Sequence, residues 1–69
     1  MEDAVYIHLM PDNMCSVLYL TEYESTEHLG GELDCIFNQG TQFELWTDAT
    51  KYADTLQEVV QASGGVKFI

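Results

Sequence analysis

The sequence predicts an α+β domain: an antiparallel sheet of four to five strands with one helix packed on one face, in the order β-β-β-β-α-β. Three observations lead there. The 69 residues hold one hydrophobic core and no more, so residues 1–69 form a single domain. Short apolar runs separated by Pro-, Asn- and Gly-containing turns fill the first two thirds of the chain, which is the pattern of antiparallel strands. One stretch near the C-terminus instead has apolar residues at helical spacing.

The first strand is Ala4-Val5-Tyr6-Ile7-His8-Leu9-Met10, with Val5, Ile7 and Leu9 on one face. Pro11-Asp12-Asn13 reads as a turn, because Pro presets φ and the Asp and Asn side chains bond nearby backbone. Ser16 to Tyr23 is the return strand of a hairpin, extended by Glu22 and Glu24. This strand is apolar on both faces: Val17, Tyr19 and Tyr23 on one, Leu18 and Leu20 on the other. Its register is therefore ambiguous, and a one-residue slip moves Glu22 and Glu24 to the opposite side.

Ser25 to Gly31 is a connection with room for one helical turn. Leu33 to Phe37 reads as a third strand, with Leu33, Cys35 and Phe37 inward and Asp34 outward. Asn38-Gln39-Gly40 is a turn, and Gln42 to Trp46 is a fourth strand with Phe43 and Leu45 inward. Thr47 or Asp48 caps a helix that runs to about Ala62, with Ala49, Tyr52, Ala53, Leu56, Val59 and Val60 on its apolar stripe. Asp48 sits where the helix dipole favours a carboxylate. Gly64-Gly65 stops the helix, and Val66 to Ile69 forms a short last strand.

The composition is that of a folded chain, 46% hydrophobic and 12% aromatic. Its charge is unusual. Twelve Asp and Glu oppose two Lys, for a formal net charge of −10 and no Arg. Phosphate binding needs clustered Lys and Arg, so direct binding to nucleic acid or to an anionic membrane is excluded as a function class. Solubility alone is met by a net charge of about 2 to 8, so the excess points to a basic partner. The chain starts Met1-Glu2-Asp3, the reverse of a basic signal-peptide start, and no apolar run reaches 18 residues. The expectation is a cytoplasmic protein in which Cys15 and Cys35 are unpaired, buried apolar residues.

With one helix on one side of the sheet, the other side must meet water or a partner. Strand alternation places Glu22, Glu24, Glu32, Asp34 and Glu44 on that open face, with same-strand pairs roughly 6.7 Å apart, a spacing comparable to that of phosphates along a nucleic-acid strand. Trp46 and Tyr6 stand among them as aromatic anchors, and Ile36 points the same way. Charge steers the encounter with a basic protein, and aromatic groups supply contact energy. Asp54 and Glu58, four apart on the exposed face of the helix, form a second acidic line.

Other chemistry finds little support. His8, His28, Cys15 and Cys35 lack zinc-ligand spacing, and no calcium loop is present. No nucleophile elbow, Cys–His signature or phosphate loop appears, so neither an enzyme nor a cofactor is expected.

A chain of this size and acidity, with a hairpin-rich sheet, one helix and no catalytic motif, resembles the small anti-defence proteins of bacteriophages. These include anti-CRISPR proteins and nucleic-acid mimics. The resemblance rests on size, charge and architecture over the whole chain. It implies a stoichiometric inhibitor without cofactors, a monomer or weak dimer that occupies the basic nucleic-acid-binding site of a host complex. Two alternatives stay open. One is an acidic regulator of RNA polymerase or another host enzyme that does not mimic nucleic acid. The other is a homo-oligomeric module that pairs through a sheet edge.

Overall fold

The computed structural model describes residues 3–22, Glu24 and residues 33–69. The elements are β1 (Ala4–Leu9), β2 (Cys15–Leu20), α1 (Leu33–Phe37), β3 (Thr41–Phe43), α2 (Trp46–Val60) and β4 (Val66–Phe68). The fold is α+β, and the four strands among the described residues lie in the order β3-β2-β1-β4.

β1 and β2 form the expected antiparallel hairpin, with Ala4 opposite Leu20 and Leu9 opposite Cys15. Its turn is closed by Met10 N–H donating to the Met14 carbonyl at 2.8 Å and by the Asp12 carboxylate accepting from Met14 N–H at 3.0 Å. Asn13 takes the left-handed conformation there, with φ of 68°, one that Asn tolerates better than most residues. β3 pairs antiparallel with β2 and so runs in the same direction as β1. α2 carries the chain back across the sheet. A helix between two strands returns the chain to the end it started from, so β4 runs parallel to β1. The sheet is therefore mixed, which corrects the purely antiparallel expectation.

α2 packs on one face. Ala49 and Ala53 are fully buried against Val5, Ile7, Cys15 and Val17, and Tyr19, Phe43, Leu56, Val60 and Val66 close around them. Small side chains at the contact let helix and sheet approach closely. The helix starts at Trp46 with Leu45 as its N-cap and no side-chain capping bond, two to three residues before the expected caps at Thr47 or Asp48. Asp48 instead occupies the first turn, where the dipole favours it. At the other end Gln61 is left-handed (φ 50°) and donates its N–H to the Gln57 carbonyl at 2.7 Å.

The second face is covered too. Residues 33–37 form α1 rather than a third strand. This run alternates like a strand, but it also has apolar residues at 33, 36 and 37, the helical spacing. Phe37 is fully buried against Ala4, Tyr6, Met10 and Leu20, with Met14, Leu18 and Ile36 around it. The Ser16 hydroxyl donates to the Phe37 carbonyl at 2.5 Å, and the His8 ring lies 5.0 Å from the Phe37 ring. Gly40 closes this junction. A Cβ there would lie 2.5 Å from Ser16 Oγ and 2.7 Å from the Val17 carbonyl oxygen.

The start of β1 is clasped to the loop before β4. The Asp3 carboxylate accepts from the Ser63 hydroxyl, from Ser63 N–H at 3.4 Å and from the Tyr19 hydroxyl at 3.4 Å. Gly64 N–H donates to the Asp3 carbonyl at 2.8 Å. These bonds, Ser63 foremost, hold the Asp3 carboxyl below its ordinary value of 3.8. Partial burial pushes the Tyr19 phenol up, and the nearby Asp3 carboxylate adds to that shift.

A depressed folded-state pKa stabilises the fold above the unfolded value and is lost as pH falls through the folded value. Ser63→Ala is therefore expected to lower stability at neutral pH, with the gap to the parent closing as pH drops below 3.8. Urea melts followed by Trp fluorescence across the acid range check this. A gap that does not change with pH would assign the effect to something other than the Asp3 charge.

Candidate functional site

The structure disperses the acidic sheet face expected from strand alternation, because that face is core. Tyr6 has 0% exposure and belongs to the second-face cluster, so it is not a surface anchor. Glu22 and Glu24 lie past the end of β2 in helical backbone and are exposed. Thr21 and Glu24 form a reciprocal capping pair. Thr21 N–H and its hydroxyl each donate to the Glu24 carboxylate at 3.0 Å, while Glu24 N–H donates to Thr21 Oγ1 at 3.3 Å. Glu24 thus has a structural task at the β2 exit. Asp34 lies in α1 rather than on an outward strand position, and Glu32 lies outside the described residues, as does His28. Asp54 and Glu58 are exposed on α2, on the line expected for them.

Glu44 and Trp46 remain together, at the entry to α2. Trp46 is 47% exposed and stacks on Phe68 of β4, with ring centroids 5.2 Å apart and planes 29° from parallel. Phe68 is itself 59% exposed, and Leu45, just before Trp46, is 60% exposed. Phe68 pairs in register with Ile7. Leu9, two residues beyond Ile7 and 57% exposed, therefore lies on the same face, diagonal to Phe68.

The Trp46–Phe68 stack, with Leu45 next to Trp46 in the chain and Leu9 diagonal to Phe68, exposes apolar surface at one end of the α2 face. Exposed carboxylates are its neighbours in the chain: Glu44 and Asp48 lie two residues either side of Trp46, and Asp12 stands in the turn that follows Leu9. Large apolar groups grouped amid charge mark an interaction surface more often than an idle one.

Sequence reasoning names Trp46 as an exposed anchor but sets it on a strand facing away from the helix, whereas it opens α2 and stacks on the α2 face. It also misses Phe68, Leu45 and Leu9. Their grouping depends on the parallel docking of β4 beside β1 and on the early start of α2. Neither is visible while the sheet is taken as antiparallel and Leu45 as inward. The cysteines also divide: Cys15 is buried in the core, but Cys35 is exposed, against the expectation that both are buried. His8 is half-buried, its Nδ1 3.1 Å from the Ile69 carbonyl oxygen. Among the described residues, no group of three His, Cys, Asp or Glu side chains is arranged to hold a metal ion. No helix among them is long and apolar enough to cross a membrane.

Comparison with known proteins finds no matching family model, no matching curated protein and no matching solved structure.

Proposed function

We propose that this protein is a stoichiometric protein inhibitor of the anti-defence kind, acting by occupying the basic nucleic-acid-binding site of a host complex such as a CRISPR effector. The observation that carries the reading is the exposed Trp46–Phe68 stack with carboxylates as its chain neighbours, on a chain of net charge −10. Binding hot spots are enriched in Trp and in packed aromatic groups, and the acidic charge supplies steering toward Lys and Arg. The contact surface differs from the sequence expectation. It is the α2 entry and the β4 edge, with Leu45 and Leu9 beside the stack, rather than a flat array of carboxylates on the sheet.

The Trp46–Phe68 stack also favours a second reading, an acidic regulator held mainly by aromatic contact that does not compete with nucleic acid. Salt and competition separate the two. Tagged protein is used to capture partners from a bacterial lysate at low and at moderate salt. The inhibitor reading expects a basic nucleic-acid-binding complex whose capture weakens steeply with salt and is released by excess DNA or RNA. A partner that stays bound in the presence of DNA and RNA supports the regulator. Recovery of only its own copies contradicts both and favours the homo-oligomeric module, although two chains of −10 repel each other.

A further inference from the structure

We infer that the partner contributes a basic extended segment that adds to the sheet as a strand alongside β4, its apolar side chain seated on the Trp46–Phe68 stack. This rests on the reading of the patch as a site for a basic protein and names how the partner is held.

The backbone supplies the first half of the site. β4 is a sheet edge among the described strands. Val5 N–H donates to the Gly65 carbonyl at 2.8 Å, and Ile69 N–H donates to the Ile7 carbonyl at 3.0 Å. In a parallel pair, alternate residues face the partner strand. Residues 65, 67 and 69 therefore turn their backbone groups toward β1, and Val66 and Phe68 direct theirs to the outer edge. An edge of this kind is a template for another strand unless a charge, Pro or bulge blocks it. β4 carries one charge, Lys67, paired in register with Tyr6 and so on the α1 face. The α2 face of the same edge carries Phe68 and Trp46 instead.

The other edge, β3, is less suited. Thr41 and Gln42 are polar there, the Thr41 hydroxyl donates to the Tyr52 hydroxyl at 3.3 Å, and Phe43 is half-buried with its ring 5.2 Å from that of Tyr52.

Charge selects the occupant. A second copy of this chain would bring −10 against −10, whereas a segment with Lys or Arg on either side of an apolar residue meets Glu44 and Asp48. Side chains alternate across a strand, so the matching pattern is cation, any residue, apolar, any residue, cation, with the three named positions on the α2 face.

The test uses the whole protein, isotopically labelled, and the peptide acetyl-Arg-Thr-Leu-Thr-Arg-amide as probe. The expected result is slower exchange of the Val66 and Phe68 amides, by about tenfold at saturating peptide, together with a shift of the Trp46 indole. The fully N-methylated peptide, which has no N–H to donate and whose methyl groups keep its carbonyls from approaching the edge, should leave both amides unprotected. If the two peptides bind alike and move Trp46 without protecting Val66 and Phe68, strand addition is wrong while the aromatic patch stands as a protein site. If neither amide nor indole responds, strand addition is likewise overturned, and the capture experiment decides the broader reading by itself.

Discussion

Phe37→Ala is expected to remove about a third or more of the domain's stability. The ring is fully buried and is the largest apolar group that α1 contributes to the second face of the sheet. Truncating such a side chain costs about 3–5 kcal/mol, through lost burial and the cavity left behind. A chain of this length has only about 3–10 kcal/mol of stability in total, taking 0.05–0.15 kcal/mol per residue. The same change frees the Tyr6 face to meet water. Circular dichroism and urea melts of the variant should show a midpoint shifted far down in denaturant, reaching a largely unfolded population at 25 °C at the lower end of that stability range. A variant as stable as the parent would mean that α1 does not cover the sheet, and that the second face is open as the sequence alone suggests.

The second large effect is on binding. Trp46→Ala should weaken capture of a basic partner by about thirtyfold or more, the size expected for an aromatic hot spot. Phe68→Ala should do the same, since each ring holds the other in place. The double variant should lose less than the sum of the two, because removing either ring already dismantles the stack. Both side chains are about half exposed, so the fold should survive, and melts of each variant check that. By contrast, Asp54→Lys and Glu58→Lys on the outer line of α2 should change association through long-range charge only. If those two reversals abolish capture while Trp46→Ala leaves it intact, the helix face and not the α2 entry is the contact surface.

The parts of the fold that show in the sequence are those where one periodicity dominates. α2 is plain from Ala49, Ala53, Leu56 and Val60, and the β1–β2 hairpin is plain from its alternation and the Pro11–Asn13 turn. Residues 33–37 are too short for periodicity to choose between strand and helix, and burial of Phe37 against the sheet decided for the helix. The covered second face has a trace in the sequence all the same. Leu18 and Leu20 put apolar groups on the side of β2 opposite Val17 and Tyr19, which fits a sheet buried on both faces. Thr21-Glu22-Tyr23-Glu24 likewise carries the Ser/Thr-x-x-Glu signature of a helix start, where strand composition suggests a continuing strand.

The candidate site is less legible because it is assembled from distant segments. Alternation correctly puts Tyr6 on the face opposite Val5 and Ile7, but that face is core, so correct parity gives the wrong exposure. Phe68 acquires its partner only through the crossover that brings β4 beside β1. No local pattern encodes a contact between residues 46 and 68.

The most direct test of the account is amide-resolved mapping of the labelled protein against its captured partner. The Trp46 indole and the amides of Leu9, Leu45, Asp48 and Phe68 should shift together, while those of Asp54 and Glu58 stay where they are. Shifts confined to the Asp54–Glu58 line, with the Trp46 indole unmoved, would contradict the account.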